Sequence, residues 1–438
     1  MTPALRPSAL VLLALLPAPT AGPALAADAG ADEWPRVTHL AAAAADVLHV
    51  VVQTGDVVHP RQGPYEAKPG DETVEAHRSL IVRRDGEDYG ALAWNDRGLL
   101  TTFERVLQAP FTAERWRQVT LMAIRSEDDP AYGGGRRPER VELKTRPYEV
   151  SRVGGWQFEA PLEHHFFVFL PAPMTDGATY TVAVKGDGPA VPPYTHAPRT
   201  TRSESVHVSQ VGFRPDDPAK VAFLSTWTGT GGGLSYPEGL GFEVVDEGTG
   251  TSVFAGTLTL RHHAEDPDDR ADHSHVKADV LEADFSDLDR PGVYRVSVKG
   301  VGTSFPFPIA GDAWRDAFVV SARGFYHHRR SVELGPPHTD YVRPRGLHPE
   351  DIPIYLSTTG LMDTGNGLNR EAKNNFDELV AGKTDELAGP TAWGGLMDAG
   401  DWDSRAQHLI VTRYLLETLW TAFWYPPINE YTVQSPMA

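Results

Sequence analysis

Between about Asp46 and Pro192 the apolar residues come in short runs rich in β-branched and aromatic side chains. Val47–Gln53, Ser79–Arg83, Gln118–Ile124, His165–Leu170 and Tyr180–Val184 are such runs. Turn formers, Asp85-Gly86 and Tyr132–Gly135 among them, separate them. Short runs of this composition punctuated by turns predict an antiparallel β-sandwich over residues 40–198. Pro192-Pro193, Pro198 and the polar stretch Thr200–Ser205 then read as a linker. A second β pattern follows over residues 204–310. Val206–Val211 alternates, Gly212–Pro215 turns it, and Lys220–Leu224, Phe242–Val245, Val253–Leu260, Lys277–Phe285 and Val293–Val298 recur at the spacing of a sandwich. Past Ile309 the period changes. Phe318, Ala322 and Phe325 fall at helical spacing within Asp312–Arg330, with Asp312 as the expected N-cap and Gly335-Pro336-Pro337 as the stop. Glu371–Val380 and Asp403–Trp424 extend the helical reading. In the latter, Leu409, Thr412, Leu416, Leu419 and Phe423 share a face before Pro426-Pro427. Residues 312–438 therefore read as a separate α domain.

Residues 1–26 have the three parts of an export signal: Arg6, the apolar run Ala9–Leu16, and the small-x-small site Ala24-Leu25-Ala26. A secreted protein, extracellular or periplasmic, is the expectation. The chain has no cysteine, so neither disulfides nor a thiol-borne lipid contributes. A net charge of -19 disfavours nucleic acid and anionic membrane surfaces as partners. No cofactor motif is present.

The densest chemistry lies in Trp393–Asp403. Here Asp398 and Asp401 are separated by Ala399 and Gly400, preceded by Gly394 and Gly395, and flanked by Trp393 and Trp402. Two readings fit. Asp401 and Asp398 are the caps of a helix and of the turn before it. Alternatively, they activate and orient a water beside rings that stack on sugar. The loop Arg261–His275 holds His262, His263, Asp266, Asp268, Asp269, Asp272, His273 and His275. Its spacing matches no ligand pattern and suits a solvated hairpin loop better than a cation site. Trp94, Trp116 and Trp156 are read as core before they are read as a carbohydrate face.

Gly394–Asp403 resembles the catalytic-base segment of glycoside hydrolase family 9, the inverting cellulases and related enzymes. Val206–Ile309 resembles the immunoglobulin-like module that precedes their catalytic domain. The resemblance implies two β-sandwiches followed by the N-terminal part of an (α/α)6 barrel. It implies action on a polysaccharide, with cellulose-type β-1,4-glucan foremost. Asp401 would be the base, Asp398 would hold the same water, and Trp393 and Trp402 would stack on sugar or belong to barrel core. Glu333, Glu371 and Glu417 do not match the family's general acid, so none is assigned; the catalytic domain is expected to be truncated, with little turnover. Zinc in relatives depends on Cys and His ligands. With no Cys here, His327, His328 and His338 read as surface or cleft residues, and no metal ligand is assigned. The alternatives are a non-catalytic carbohydrate-binding or remnant module, and an exo-β-glucosaminidase on chitosan oligosaccharides.

Overall fold

The structure is a computed structural model. It describes residues 34–396 other than 77–78, 93–97, 155–156, 187, 269–271 and 359–379, together with residues 413, 414, 416 and 417. The chain forms two compact units. One comprises the chain up to Gln210 plus Asp217–Phe307, the other Val211–Asp216 plus the chain from Pro308 onward.

In the first unit, strand Val47–Gln53 lies between Arg36–Ala44 and Leu162–Phe169, with Arg140–Pro147 outermost, all antiparallel. A second sheet of Met122–Arg125, Thr179–Val184 and Tyr194–Thr195 packs against it. Because side chains alternate along a strand, Leu48, Val50, Val52, Phe166 and Val168 all face this second sheet. They meet Ile124, Tyr180, Val182 and Trp116 in one core. The run expected over Gln118–Ile124 begins as a 3₁₀ turn, Val119–Leu121, and is strand only from Met122. A five-stranded sheet between residues 62 and 102, a four-stranded meander with Gln62–Pro64 added beside Leu99–Thr102, has its own small core of Val82, Leu92 and Leu100. Its hairpin Ser79–Arg84/Glu87–Leu92 turns at Asp85-Gly86, where φ is 54° and 86°. Two left-handed residues in a two-residue loop match the right-handed twist of the strands they join.

The other sandwich of this unit has Val206–Val208, Val221–Leu224, Val280–Asp284 and Thr259–His262 in one sheet. Ser252–Thr257, Gly241–Asp246, Gly292–Val298 and Gly302–Thr303 lie in the other. Ala222, Leu224, Leu281, Ala283, Phe242, Val244 and Val296 are buried between them. The run Val253–Leu260 is two strands, not one. The chain changes sheets at the buried Leu258, whose N–H donates to Leu240 O.

The stretch read as a linker is fixed in place. Tyr194–Thr195 adds a strand to the second sheet, and His196, Ser203 and Ser205 are buried. Ser203 Oγ donates to Ala42 O at 2.7 Å, Tyr236 Oη to Ala43 O at 2.8 Å, and Ser297 Oγ to Pro198 O at 3.1 Å. Polar composition resembles a linker, but here the hydroxyls of Ser203 and Ser205 are satisfied internally. At the edge strand Arg140–Pro147, Thr230 Oγ1 accepts Leu143 N–H at 3.0 Å and donates to Glu142 Oε2 at 2.6 Å. The turn before it crosses at Gly229, φ +77°, where an added Cβ would stand 2.1 Å from Leu143 O.

In the second unit, helix Arg315–His327 starts from Trp314 with no side-chain cap. Asp312 contributes instead through its carbonyl, which accepts Arg315 N–H at 2.9 Å. None of the helix's residues is fully buried. Tyr355–Ser357 pairs with Lys383–Leu387. The expected helices at 371–380 and 403–424 lie almost wholly outside the described residues. Of the latter, Arg413, Tyr414, Leu416 and Glu417 are helical, and Arg413 Nε meets Glu417 Oε1 at 2.7 Å. Leu416, expected on the apolar face, is 60 % exposed. Among the described residues no helix is long and apolar enough to cross a membrane.

Two expectations concern the first unit. Gly229→Ala combines a clash with backbone and a strained φ, and should destabilise the unit by about 1–3 kcal/mol; a thermal midpoint equal to wild type would refute the close approach. Buried Asp129 accepts from Tyr180 Oη at 2.6 Å, Ala131 N–H at 2.9 Å and Thr175 Oγ1 at 3.2 Å. These bonds, Tyr180's foremost, hold its pKa below the ordinary aspartate value. A depressed folded-state pKa gives stability that is full above the unfolded value of about 3.9 and is lost as pH falls through the folded one. Asp129→Asn should therefore cost most at neutral pH. Urea midpoints for variant and wild type should converge in acid, and a gap independent of pH would count against this account.

Candidate functional site

Trp393–Leu396 leads into the aspartate pair, and three backbone features place it. Arg330 N–H donates to Gly395 O at 3.2 Å, Gly394 N–H to Ser331 Oγ at 3.2 Å, and Arg329 bridges Leu396 antiparallel. Gly394 and Gly395 have φ of 120° and 84°. Only glycine adopts the first of these without strain, so the Gly-Gly pair is what lets the chain turn here. Ser331 is buried and its hydroxyl also donates to Leu347 O at 3.3 Å. The segment is thus tied to the chain just beyond helix Arg315–His327.

Trp393 is 47 % exposed, and its ring lies 5.0 Å from that of the buried His348 at 46°. His348 is held in turn: Glu350 N–H donates to its Nδ1 at 3.3 Å, and its carbonyl accepts from Asp351 and Ile352. Arg345 binds Glu350 and Asp351, both at 2.8 Å, closing this loop. The result is an indole supported from one side by a buried imidazole and open to solvent over much of the rest. An aromatic face so presented can stack on an apolar ring face of a sugar.

Asp398, Asp401 and Trp402 lie outside the described residues, so Trp393 is the candidate whose surroundings are described. His348 and Ser331 were not singled out from the sequence. Neither sits in a recognisable spacing, and they reach Trp393 and Gly394 only through the fold. His327 Nε2 is 2.8 Å from Thr339 Oγ1, and exposed His338 lies against Tyr326, ordinary contacts for surface histidines. Of the expected core tryptophans, Trp116 is buried in the first sandwich, whereas Trp94 and Trp156 lie outside the described residues.

In the loop Arg261–His275 the carboxylates mostly serve the backbone. Asp266 Oδ2 accepts His263 N–H at 2.9 Å and Asp268 Oδ2 accepts His275 N–H at 2.6 Å. Asp272 Oδ1 is 3.0 Å from His273 Nδ1, and that contact lowers the Asp272 pKa. A shallow polar hollow of about 550 Å³ lies beside the loop, lined by Arg261, His262, Asp268 and Glu282 among others. Acceptors committed to turns are what a solvated hairpin loop requires.

Residues 201–303 match the family model described as the cellulase N-terminal ig-like domain. Endoglucanase D of Acetivibrio thermocellus is 28% identical over 176 residues, covering 36% of this chain and 24% of that protein. The chain thus spans about a quarter of the length of that relative. Two solved structures are also similar. A metagenome-derived glycoside hydrolase family 9 endoglucanase is 25% identical over 35% of this chain and 26% of its own, with a TM-score of 0.27. Family 9 endoglucanase J30 is 26% identical over 42% of this chain and 26% of its own, with a TM-score of 0.28. Residues 201–303 thus resemble the N-terminal ig-like domain of cellulases, and the chain that carries them resembles glycoside hydrolase family 9 endoglucanases.

Proposed function

We propose that this protein is a secreted glycoside hydrolase that cleaves β-1,4-linked glucan with inversion. In this reading the chain from residue 312 contributes the N-terminal part of an (α/α)6 barrel. The observation that carries the reading is order along the chain: a cellulase-type immunoglobulin-like domain at 201–303, followed by Trp393–Asp403 with its paired aspartates. Asp401 takes a proton from water as that water attacks the anomeric carbon. Asp398 accepts a hydrogen bond from the water's other O–H, which stays on the product, and fixes its direction. The C–O bond to the leaving sugar breaks, and the leaving oxygen takes up a proton. In the inverting geometry base and acid stand about 6.5–9.5 Å apart, leaving room for the water. No carboxyl is assigned as that acid. Trp393, open to solvent and backed by His348, supplies a stacking face, with Trp402 as its counterpart after the aspartates.

The assigned and unassigned halves of the mechanism separate experimentally. A 2,4-dinitrophenyl β-cellobioside carries a leaving group that needs no protonation, so its hydrolysis depends on the base alone. The purified chain should hydrolyse it and release the α-anomer, seen by NMR. Asp401→Ala should slow release by about 10²–10⁴-fold, the usual worth of a general base, and Asp398→Asn should slow it strongly. Soluble β-glucan should be turned over far more slowly than the activated substrate. Release that is indifferent to Asp401 would defeat the assignment. Preference for chitosan oligosaccharides, which the net charge of -19 would attract, would move the substrate to a cationic glucosaminide.

A further inference from the structure

The four-stranded sheet of the first unit has two buried faces, and only one is a hydrophobic core. On the other, His49 from Val47–Gln53 and His165 from Leu162–Phe169 are 2% and 0% exposed. Glu204 reaches them from the segment that joins the two sandwiches. His49 Nε2 and His165 Nδ1 are 2.9 Å apart, and Glu204 Oε2 is 3.9 Å from His165 Nδ1. The three donor atoms lie within 4.8 Å of one another. Tetrahedral zinc with bonds of about 2.0–2.1 Å holds its ligand atoms roughly 3.3 Å apart. A slight separation of the two nitrogens and a small inward swing of Glu204 would meet that geometry.

The second ring nitrogen of His165 strengthens the case. His165 Nε2 is buried with no hydrogen-bond partner of good geometry, and the Oε2 of Glu163 lies 3.4 Å from it. Glu163 is in turn gripped by Arg146 Nε at 2.9 Å. A carboxylate behind the distal nitrogen of a histidine fixes the proton there and leaves the near nitrogen as a lone pair, the usual outer arrangement of a histidine that binds metal. Lys144 and Arg146 add positive charge nearby, and Glu163 and Glu204 offset it. Two imidazoles and one carboxylate suit zinc better than calcium or magnesium, which take oxygen sets.

We propose that His49, His165 and Glu204 bind one zinc-class divalent cation, with water completing the coordination, at the seam between the two sandwiches. Glu204 lies between Ser203 and Ser205, both anchored at this seam. The ion would therefore tie the connecting segment to the sheet and act as a structural clasp rather than a catalyst.

The test uses the full chain without a histidine tag, stripped with chelator. Titration with zinc should show one site by calorimetry and raise the thermal midpoint, because the folded state alone presents the three ligands. Cobalt should give the visible absorption of a tetrahedral site. Glu204→Gln keeps the shape of a partly exposed side chain and should weaken zinc at least about tenfold. His49→Gln should abolish the cobalt band, and if it fails to fold, Glu204→Gln decides alone. His273→Ala/His275→Ala in the exposed loop should leave binding unchanged. No rise in thermal midpoint with zinc, a Glu204→Gln variant that binds like wild type, or loss of binding in the loop variant would each overturn the site. In those cases His49 and His165 are simply a buried N–H···N pair.

Discussion

Every residue of strand Val47–Gln53 is buried, and that condition shapes the whole first unit. An antiparallel sheet normally spends one face on a core and gives the other to water. Here Leu48, Val50 and Val52 take the core, yet His49, Val51 and Gln53 are buried as well. The second face needs a cover, and the immunoglobulin-like sandwich and the segment leading to it provide one. Ser203 and Tyr236 donate to the carbonyls of Ala42 and Ala43. Such bonds matter because a buried carbonyl left without a donor costs more than a formed bond gains.

The same requirement explains the edge. Arg140–Pro147 is the outermost strand of its sheet, and open edges invite unwanted pairing. Thr230 occupies it with one hydroxyl that both accepts and donates. That hydroxyl arrives on a turn whose backbone comes so close to Leu143 that glycine is required at 229. The two sandwiches are therefore joined by hydrogen bonds from side-chain hydroxyls to backbone, and an accessory role for the first as a freely tethered module does not suit this contact.

Much of the β architecture was legible because period-two burial writes itself into composition. Val47–Gln53 begins and ends where its apolar run does, and Asp85-Gly86 turns as its residues demand. The strands of the meander other than Ser79–Arg84 escaped notice. Their apolar residues are few and interrupted by polar ones and glycine, and among the described residues their core is only three buried side chains, so they leave little periodic signal. Thr200–Ser205 misled for the opposite reason: serine reads as solvent-loving, although the hydroxyls of Ser203 and Ser205 are satisfied inside. Asp312 was a reasonable cap by type, but the helix begins past Trp314 and uses only the aspartate's carbonyl. For the candidate site, the glycines before the aspartates announced an unusual backbone. His348 and Ser331 carried no signal, since proximity made by a loop leaves no spacing to read.

The glycine pair also constrains how the site can be built. Trp393 must leave its indole open while the next residues reverse onto Arg329 and Arg330. A side chain at 394 with φ of 120° would be strained even though open space surrounds it. The turn is thus fixed by backbone conformation rather than by packing. A position set this way tolerates change in its neighbours but not in itself, which is a useful property next to a substrate. The indole of Trp393 can be tuned by what surrounds it, while the backbone through Gly394 and Gly395 keeps one direction. In the proposed reaction, where a base must lie in line with a water and a sugar carbon, direction matters more than affinity, because misplacement by about 1 Å can cost on the order of a hundredfold in rate.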